Sequence, residues 1–215
     1  MGDARSVVNI GAGTGSYEPH DRAVIAVELS ATMIGQRPRD RAPAVQASAS
    51  ALPLADKSMD AALAVLTIHH WADQRRGLCE MARVARKRCV ILTWTPGEPY
   101  WLSDYFPEII EREKPLFSLE PYCDVFGHVE IRPVSIPFDC TDGFLCAYWR
   151  RPEAYFDRHA RGAISSFAHL QDAEQGLEKL RRDLDDGTWK ERNGHLLDRT
   201  ECDFGYRLVV AELQP

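Results

Sequence analysis

The sequence lacks several features that would place it in a special class of protein. No stretch is apolar for long enough to span a bilayer, and the first residues contain no apolar core like that of a secretion signal. The six cysteines form no Cys-x-x-Cys pair, so we expect reduced thiols and no metal site. A net charge of -6 argues against unspecific binding to nucleic acid or to an anionic membrane. We therefore expect a cytoplasmic protein.

What is present is the composition of an ordinary globular protein. At 215 residues the chain is long enough for one domain with a sizeable core and a subdomain. Its content of 45% hydrophobic and 27% charged residues is typical of soluble globules. Basic residues cluster locally at 83–88. Next to a predicted strand, this cluster is more typical of a solvated helix end than of a binding patch.

A glycine-rich loop between two apolar runs is the first informative motif. Val7–Ile10 predicts a strand, and the loop 11–15 that follows reads Gly-Ala-Gly-Thr-Gly. A second apolar run, Ala23–Val27, is followed directly by Glu28. Glycines let a backbone approach a ligand closely, and a carboxylate can accept hydrogen bonds from both hydroxyls of a ribose. This order predicts a site for an adenosine-containing cofactor.

Strands and helices alternate through the first part of the chain. Further strands are predicted at 44–47, 59–66 and 89–94, and helices at 30–36, with Ser30 as the N-cap, and at 75–86. Such alternation predicts an α/β fold with a doubly wound, mostly parallel sheet. Ligands of these sheets bind at the carboxyl ends of the strands. The loops after residues 10, 27, 47, 66 and 94 should therefore converge on one site.

The second half of the sequence has a different pattern. It predicts a helix at 100–113, a strand at 129–138, helical segments at 142–150, 152–168 and 171–186, and a last strand at 206–213. We expect residues 1–139 and 203–215 to form the cofactor-binding domain. Residues 140–202 would then form a helical insertion before the last strand, placed to act as a lid on the acceptor.

Four segments, 7–18, 26–34, 47–71 and 89–94, together resemble a known family. In this order and spacing they are similar to the class I S-adenosylmethionine-dependent methyltransferases, most of all to the type 11 group related to ubiquinone-biosynthesis methyltransferases. The resemblance implies a seven-stranded Rossmann-like sheet with S-adenosyl-L-methionine as the cofactor. It also implies in-line methyl transfer, for which we expect a small-molecule acceptor.

The resemblance also implies a role for each part of the cofactor site. The glycine loop would lie under the methionine part of the cofactor, and the acid after the second strand would bind the ribose. The apolar residues after that acid would pack on the adenine, and a backbone amide near residue 49 would address its ring. The end of the fourth strand would line the floor beside the sulfonium. These residues are Asn9, Gly11, Ala12, Gly13, Gly15, Glu28, Leu29, Met33, Ser48, Ala49, Leu66 and Thr67.

The sequence departs from the family pattern at three places. Asn9 stands where the family usually has an acid, so no charge faces the ammonium group of the cofactor there. Ser48 stands where an Asp is common. Family members also usually carry some tens of residues before the first strand, which form a capping helix. With the first strand so near Met1, either the sequence is shortened at its start or the cofactor is more exposed.

The histidines at the end of the fourth strand are candidate catalytic residues. His70 could serve as a general base, because a histidine titrates near neutral pH. The resembled group has a similar pair across members with different substrates. The alternative is therefore that His69 and His70 orient the loop, and Trp71 is expected to pack.

The aromatic residues of the second half have two interpretations. Most should belong to the core, while some could wall an acceptor site and exclude water. The candidates for such a wall are Trp94, Tyr105, Tyr148 and Trp149. The polar loop 139–144 could face the acceptor or cap a helix, and the arginines at 150–151 could bind an acceptor anion or nearby acids.

Two other classes of function stay open at this level. A nicotinamide-dependent oxidoreductase would share the strand–loop–strand–acid unit but favours a glycine where this chain has Ser16. A non-catalytic protein that binds S-adenosylmethionine would fit the departures at Asn9 and Ser48. Among partners we expect neither nucleic acid nor membrane, and a homodimer stays open.

Overall fold

The computed structural model describes residues 1–95, 100–113, 118–170 and 172–213, and it contains a seven-stranded sheet. The strands run in the order β3-β2-β1-β4-β5-β9-β6, and β1 to β5 pair in parallel. The order reverses between β1 and β4, which is where open α/β sheets bind their ligands. The predicted α/β class with a seven-stranded sheet is confirmed. The sheet strands are β1 Ser6–Ile10, β2 Ala23–Glu28, β3 Ala44–Gln46, β4 Met59–Val65, β5 Ala85–Trp94, β6 Glu130–Pro133 and β9 Tyr206–Glu212.

The centre of the sheet is buried on both faces. The first six residues of β4 are all buried, as expected for a central parallel strand with a nearly continuous apolar sequence. Helix α2, Gln74–Val84, buries Leu78, Met81 and Val84 against one face. Asp73 caps this helix, because its side chain accepts a hydrogen bond from the backbone N–H of Arg76. The buried strand β4 and the capped helix α2 thus form part of the core that fixes the position of the strand ends.

The connections between the first strands are short. Residues 11–22, all of them described, contain no helix, although they join the neighbouring parallel strands β1 and β2. Helix α1, Ala31–Gly35, connects β2 to β3. The predicted N-cap of α1 is confirmed, since the Ser30 hydroxyl accepts from the Met33 N–H at 3.3 Å.

The boundary between α2 and β5 was predicted wrongly. The strand begins at Ala85 rather than at Cys89, because Ala85 and Arg88 pair with Met59 and Ala61 of β4. The basic residues at 86–88 are therefore on a strand and not at a solvated helix end. They form ion pairs, Arg86 with Asp60 at 2.9 Å, Lys87 with Asp3 at 2.9 Å and Arg88 with Glu212 at 2.8 Å.

The predicted helix at 100–113 and the predicted strand at 129–138 are each divided in two. A 3-10 turn at Trp101–Asp104 is followed by helix α3, Pro107–Glu113. The strand is interrupted between β6 and β7, Ile136–Pro137, and β7 pairs antiparallel with β8, Glu201–Cys202, in a separate two-stranded sheet. Proline lacks a backbone N–H for a strand ladder, and prolines end both β6 and β7. Helix α4, Glu120–Phe126, precedes β6.

The helical prediction for the insertion is wrong at 142–150, which forms turns. Cys146 in that stretch has a left-handed backbone with φ 71°, which a helix cannot contain. The segment 152–168 holds two 3-10 turns around the short helix α5, Arg158–Gly162. Helix α6 spans Glu174–Asp185 and α7 spans Thr188–Asn193, while residue 171 of the predicted segment lies outside the described residues.

The chain divides into two compact units. The first contains residues 1–94, 118–132 and 207–215, and the second contains residues 95–117 and 133–206. The second unit includes the expected insertion 140–202, together with residues 95–117, 133–139 and 203–206, which we had expected in the cofactor-binding domain. In the part of the chain that the structure describes, no helix is long and apolar enough to cross a bilayer. The same part holds no cluster of side chains able to bind a metal.

Candidate cofactor site and its surroundings

The glycine loop folds back over the end of β2. The backbone N–H groups of Gly11 and Ala12 both donate to the carbonyl oxygen of Val27, at 2.8 and 3.1 Å. Gly11, Gly13 and Gly15 all have positive φ values, of 67°, 53° and 92°. These conformations are costly for other residues, so the loop needs glycine at each alternate position.

The loop also lies very close to the end of β4. A Cβ atom added to Gly11 would fall 2.0 Å from the Thr67 Oγ1 atom, whereas one added to Gly13 would lie 3.4 Å from the Met33 Cε atom. Gly11 is therefore required both by its backbone conformation and by its neighbour. This contact brings together two predicted cofactor residues, Gly11 and Thr67, that are far apart in sequence.

Glu28 holds the loop from the opposite side. Its Oε2 atom accepts from the Gly13 N–H at 2.8 Å, and its Oε1 atom accepts from the Ser30 N–H at 2.8 Å. A carboxylate offers about four acceptor positions, so each oxygen can still accept another donor, such as a ribose hydroxyl. Sequence reasoning had assigned Glu28 to the ribose alone and had missed its contact with the loop.

Two apolar side chains beside Glu28 are exposed to solvent. The exposed fraction is 65% for Leu29 and 38% for Met33. Leu29 directly follows β2 and Met33 lies in α1, and exposed apolar side chains of this kind suit the flat face of an aromatic ring such as adenine. That Leu29 and Met33 pack on the adenine stays a prediction.

The turn after β3 contains Ser48 and Ala49. The Ser48 hydroxyl accepts from the Ser50 N–H at 3.2 Å, and the Ser48 carbonyl accepts from the Ala51 N–H at 3.1 Å. The serine thus closes its own turn, while its hydroxyl hydrogen can still be donated to a ligand. Ala49 is buried in this turn, and Asn9 is buried in β1 between β2 and β4.

The end of β4 has a strained backbone. Leu66 has a φ of 50°, and its N–H donates to the Leu92 carbonyl at 2.9 Å. A left-handed conformation is unfavourable for a leucine, and such strain is concentrated at functional sites. Thr67 follows directly and is buried. The strain thus lies where the sequence predicted the floor of the cofactor site.

The two histidines of the next turn have different surroundings. Their ring centroids are 3.9 Å apart, with His69 partly buried and His70 exposed. Burial, with a smaller contribution from the charge of His70, lowers the pKa of His69 to about 3. His69 is therefore neutral at pH 7, and of the two rings only that of His70 is exposed. Trp71 packs against α2, where a Cβ on Gly77 would lie 2.3 Å from its ring, as expected.

The aromatic residues predicted for the acceptor are all buried. Trp94 ends β5 in the first unit, and Tyr105, Tyr148 and Trp149 lie in the second. The Tyr105 hydroxyl donates to Asp183 at 2.8 Å, and the Trp149 indole N–H donates to the Ile136 carbonyl at 3.1 Å. These internal hydrogen bonds favour the core interpretation for Tyr105 and Trp149.

The polar groups near Tyr148 also have internal partners. The Arg150 guanidinium donates to the Arg199 carbonyl at 3.0 Å, and the Arg151 guanidinium donates to the Cys140 carbonyl. Asp142 accepts from the N–H of Gly143 at 2.9 Å, and the residues that follow it form turns rather than the expected helix. Both arginines thus donate to backbone carbonyls, whereas the sequence had left an acceptor anion or nearby acids as their partners.

A buried ion pair beside the glycine loop was missed entirely. Arg37 and Glu18 form it with exposed side-chain fractions of only 6% and 3%. Both lie in polar segments outside regular elements. Glu18 ends the segment 7–18 that resembles the family, but no periodicity or spacing in the sequence pairs it with Arg37.

The residues at these strand ends fit S-adenosylmethionine. The glycine loop presents bare backbone at positions where a Cβ atom would clash with a neighbour or strain the backbone. Glu28 keeps free acceptor positions, and Leu29 and Met33 offer an apolar surface. The fold and the site together define a class I S-adenosylmethionine-dependent methyltransferase. Comparison with known proteins supports this class directly.

A family model described as a methyltransferase domain matches residues 8–93. Among solved structures, a protein of Anabaena variabilis named as a candidate methyltransferase from an antibiotic biosynthesis pathway is 33% identical, with a TM-score of 0.93, covering 99% of this chain and 92% of that one. The chain therefore belongs to the family of S-adenosylmethionine-dependent methyltransferases, and its cofactor is S-adenosylmethionine. No curated protein matches it in sequence.

Two more distant structures share the fold. Phosphoethanolamine N-methyltransferase 2 of Haemonchus contortus, in complex with S-adenosyl-L-methionine, is 16% identical with a TM-score of 0.58, covering all of this chain and 50% of that one. A Thermotoga maritima protein named as a candidate histamine N-methyltransferase is 16% identical with a TM-score of 0.56, covering all of this chain and 84% of that one.

Proposed function

We propose that this methyltransferase acts on a small-molecule acceptor. The observation that carries the proposal is the Anabaena relative named for an antibiotic biosynthesis pathway, because the similarity at 33% identity extends over nearly the whole of both chains. It therefore includes the second unit and not only the cofactor motifs. The net charge of -6 supports an acceptor other than nucleic acid.

S-adenosylmethionine, when bound, supplies an electrophilic methyl group that a nucleophile can attack in line. The chain has to bind the cofactor, align the acceptor and exclude water, and it needs no elaborate catalytic apparatus for this. In our proposal the glycine loop and Asn9 face the methionine part, Glu28 accepts from the ribose, and Leu29 and Met33 cover the adenine. Ser48, Ala49, Leu66 and Thr67 complete the contacts.

For the acceptor, we assign His70 and Trp94, both of which lie in the first unit. The exposed imidazole of His70 can take a proton from an acceptor that must lose one before it attacks. Tyr105, Tyr148 and Trp149 remain predicted acceptor-binding residues. The role of residues 140–202 as a lid also remains a prediction. Substitutions in the second unit have to test them.

The cofactor assignment is tested by calorimetric titration with S-adenosylmethionine, S-adenosylhomocysteine and NAD. We expect binding of both sulfur compounds and none of NAD. The Glu28→Ala variant should bind S-adenosylhomocysteine more weakly by about 1–3 kcal/mol, because it loses hydrogen bonds to a charged acceptor. Glu130→Ala is the matched control, since it removes an exposed carboxylate of β6 at the opposite edge of the sheet. Equal affinities for the two variants would show that the ribose is not at Glu28.

The acceptor class is tested by the release of S-adenosylhomocysteine from S-adenosylmethionine. The purified protein would be incubated with panels of small amines, phenols and carboxylic acids, and in parallel with transfer RNA and denatured protein. Turnover with a small molecule alone is the expected result. Turnover only with the macromolecules would overturn the proposal, and cofactor binding without turnover on any panel would favour a non-catalytic role.

A further inference from the structure

The glycine loop is stabilised without the helix that usually joins two parallel strands. Such connections ordinarily take a dozen or more residues and usually contain an α-helix. Here residues 11–22 make the connection through turns alone. A helix at this position would hold the end of the glycine loop through its backbone hydrogen bonds. Because residues 11–22 form no helix, another part of the chain has to supply hydrogen bonds to the loop.

The buried pair Arg37–Glu18 supplies these hydrogen bonds. The Arg37 Nη1 atom donates to the Gly13 carbonyl at 2.9 Å, and its Nη2 atom donates both to Glu18 Oε1 and to the Ala42 carbonyl at 3.0 Å. The other oxygen of Glu18, Oε2, accepts from the Ala42 N–H at 3.0 Å. One guanidinium and one carboxylate thus join the glycine loop to the segment between α1 and β3.

The pair lies directly beside the last glycine of the loop. A Cβ atom on Gly15 would fall 3.2 Å from Glu18 Oε2 and 3.3 Å from Arg37 Nη1. Gly13, whose carbonyl Arg37 binds, also donates its N–H to Glu28 at 2.8 Å. The peptide groups of Gly13 are therefore held on one side by Arg37 and on the other by Glu28.

Buried ion pairs contribute little net stability, because desolvation offsets the attraction between the charges. Their geometric role is better supported, and a guanidinium suits it because its donors lie in a rigid planar fork. We propose that Arg37 and Glu18 are positioning residues for the cofactor: they replace the missing helix and hold the glycine loop in its binding shape. This inference rests on the proposed placement of the cofactor at the loop.

The experiment compares two arginines that have the same kinds of hydrogen-bond partner, although the Arg83 side chain is 30% exposed and that of Arg37 is 6% exposed. Arg83 also binds carboxylates, Glu80 and Asp56, and two backbone carbonyls, those of Leu52 and Leu54. It lies at the end of α2, just before β5 starts, and so at the amino edge of the sheet, away from the glycine loop. Arg37→Lys and Arg83→Lys both keep the charge and lose the planar fork.

Binding of S-adenosylhomocysteine and the midpoint of thermal unfolding would be measured for both variants and the wild type. We expect Arg37→Lys to weaken binding by about tenfold, and Arg83→Lys to lower the melting temperature while leaving affinity within about twofold. Equal affinity of Arg37→Lys and wild type, with both folded, would overturn the inference. If the wild type itself fails to bind, the placement of the cofactor fails, and not the role of the pair.

Glu18→Gln keeps the inference testable if Arg37→Lys does not fold. The amide keeps one acceptor oxygen, so either the bond to Arg37 or the bond from the Ala42 N–H is lost. We expect affinity to fall by about threefold and the amides of residues 11–18 to exchange hydrogen faster than in the wild type, while those of β4 stay unchanged. Unchanged exchange in the loop together with unchanged affinity would contradict a positioning role. Combining Glu18→Gln with Arg37→Lys should weaken binding by less than the product of the two single effects, because both act on the same loop.

Discussion

Replacing Gly11 by alanine would test the geometry of the loop most directly. The positive φ of 67° costs an L-residue about 1–2 kcal/mol. The new Cβ would also fall 2.0 Å from Thr67 Oγ1 in a tightly packed site, and overpacking of this kind costs about 1–3 kcal/mol. We therefore expect Gly11→Ala to lower the free energy of unfolding by about 2–5 kcal/mol and to weaken cofactor binding as well.

Two other glycines separate strain from crowding. Gly13→Ala adds the strain of a positive φ, 53°, but its Cβ would meet only Met33 at 3.4 Å, so we expect a loss of about 1–2 kcal/mol. Gly35→Ala, in α1, adds neither effect because no atom lies within 4 Å, and it should raise stability by as much as about 1 kcal/mol. Thr67→Ala should reduce the cost of Gly11→Ala by removing the nearest atom.

Urea denaturation gives the free energies of unfolding, and calorimetric titration with S-adenosylhomocysteine gives the affinities. The reasoning is refuted if Gly11→Ala costs no more than Gly13→Ala. It is also refuted if Thr67→Ala leaves the cost of Gly11→Ala unchanged, because the close approach would then not be the constraint.

Three further predictions concern titration and packing. Hydrogen bonds from the Arg5 backbone and from Arg86 lower the pKa of Asp60, which is 3.8 in an unfolded chain, so stability should fall as the pH drops below that value, and Asp60→Asn should reduce this loss in acid denaturation. His69 is neutral when folded, with its pKa lowered by burial to about 3, and would be protonated in the unfolded chain below about 6.5. The free energy of unfolding should therefore decrease by up to about 1.4 kcal/mol for each unit that the pH drops between 6.5 and about 3. A His69→Gln variant that kept this full pH dependence would contradict the prediction. Tyr105→Phe should cost about 1 kcal/mol by removing the hydrogen bond to Asp183 while leaving cofactor affinity unchanged; a clear loss of affinity would point to a functional role instead.

Local patterns predicted the first unit well because its elements are defined by short-range signals. The apolar run of β4, the N-cap at Ser30 and the glycine loop each depend on neighbours in sequence, and each was found where it was predicted. The start of β5 was missed because strand pairing with β4, a long-range contact, extends the strand through four residues that read as the end of a helix.

The second unit was predicted less well for the same physical reason. We expected helices at 100–113 and 142–150, yet Trp101 and Trp149 in these segments donate hydrogen bonds to distant backbone groups, the carbonyls of Trp149 and Ile136. The pair Arg37–Glu18 was invisible because two charged residues in polar loops are usually solvated. Only the folded chain shows that they meet below the surface.

The short connection between β1 and β2 has a consequence for how this enzyme could be re-engineered. Because Arg37 and Glu18 belong to different loops, segments 16–22 and 36–43 form one interdependent module. Exchanging either segment alone with that of a relative that has a helix between these strands would leave a charge buried without its partner. Chimeric enzymes in this family should therefore be designed to transfer both segments together.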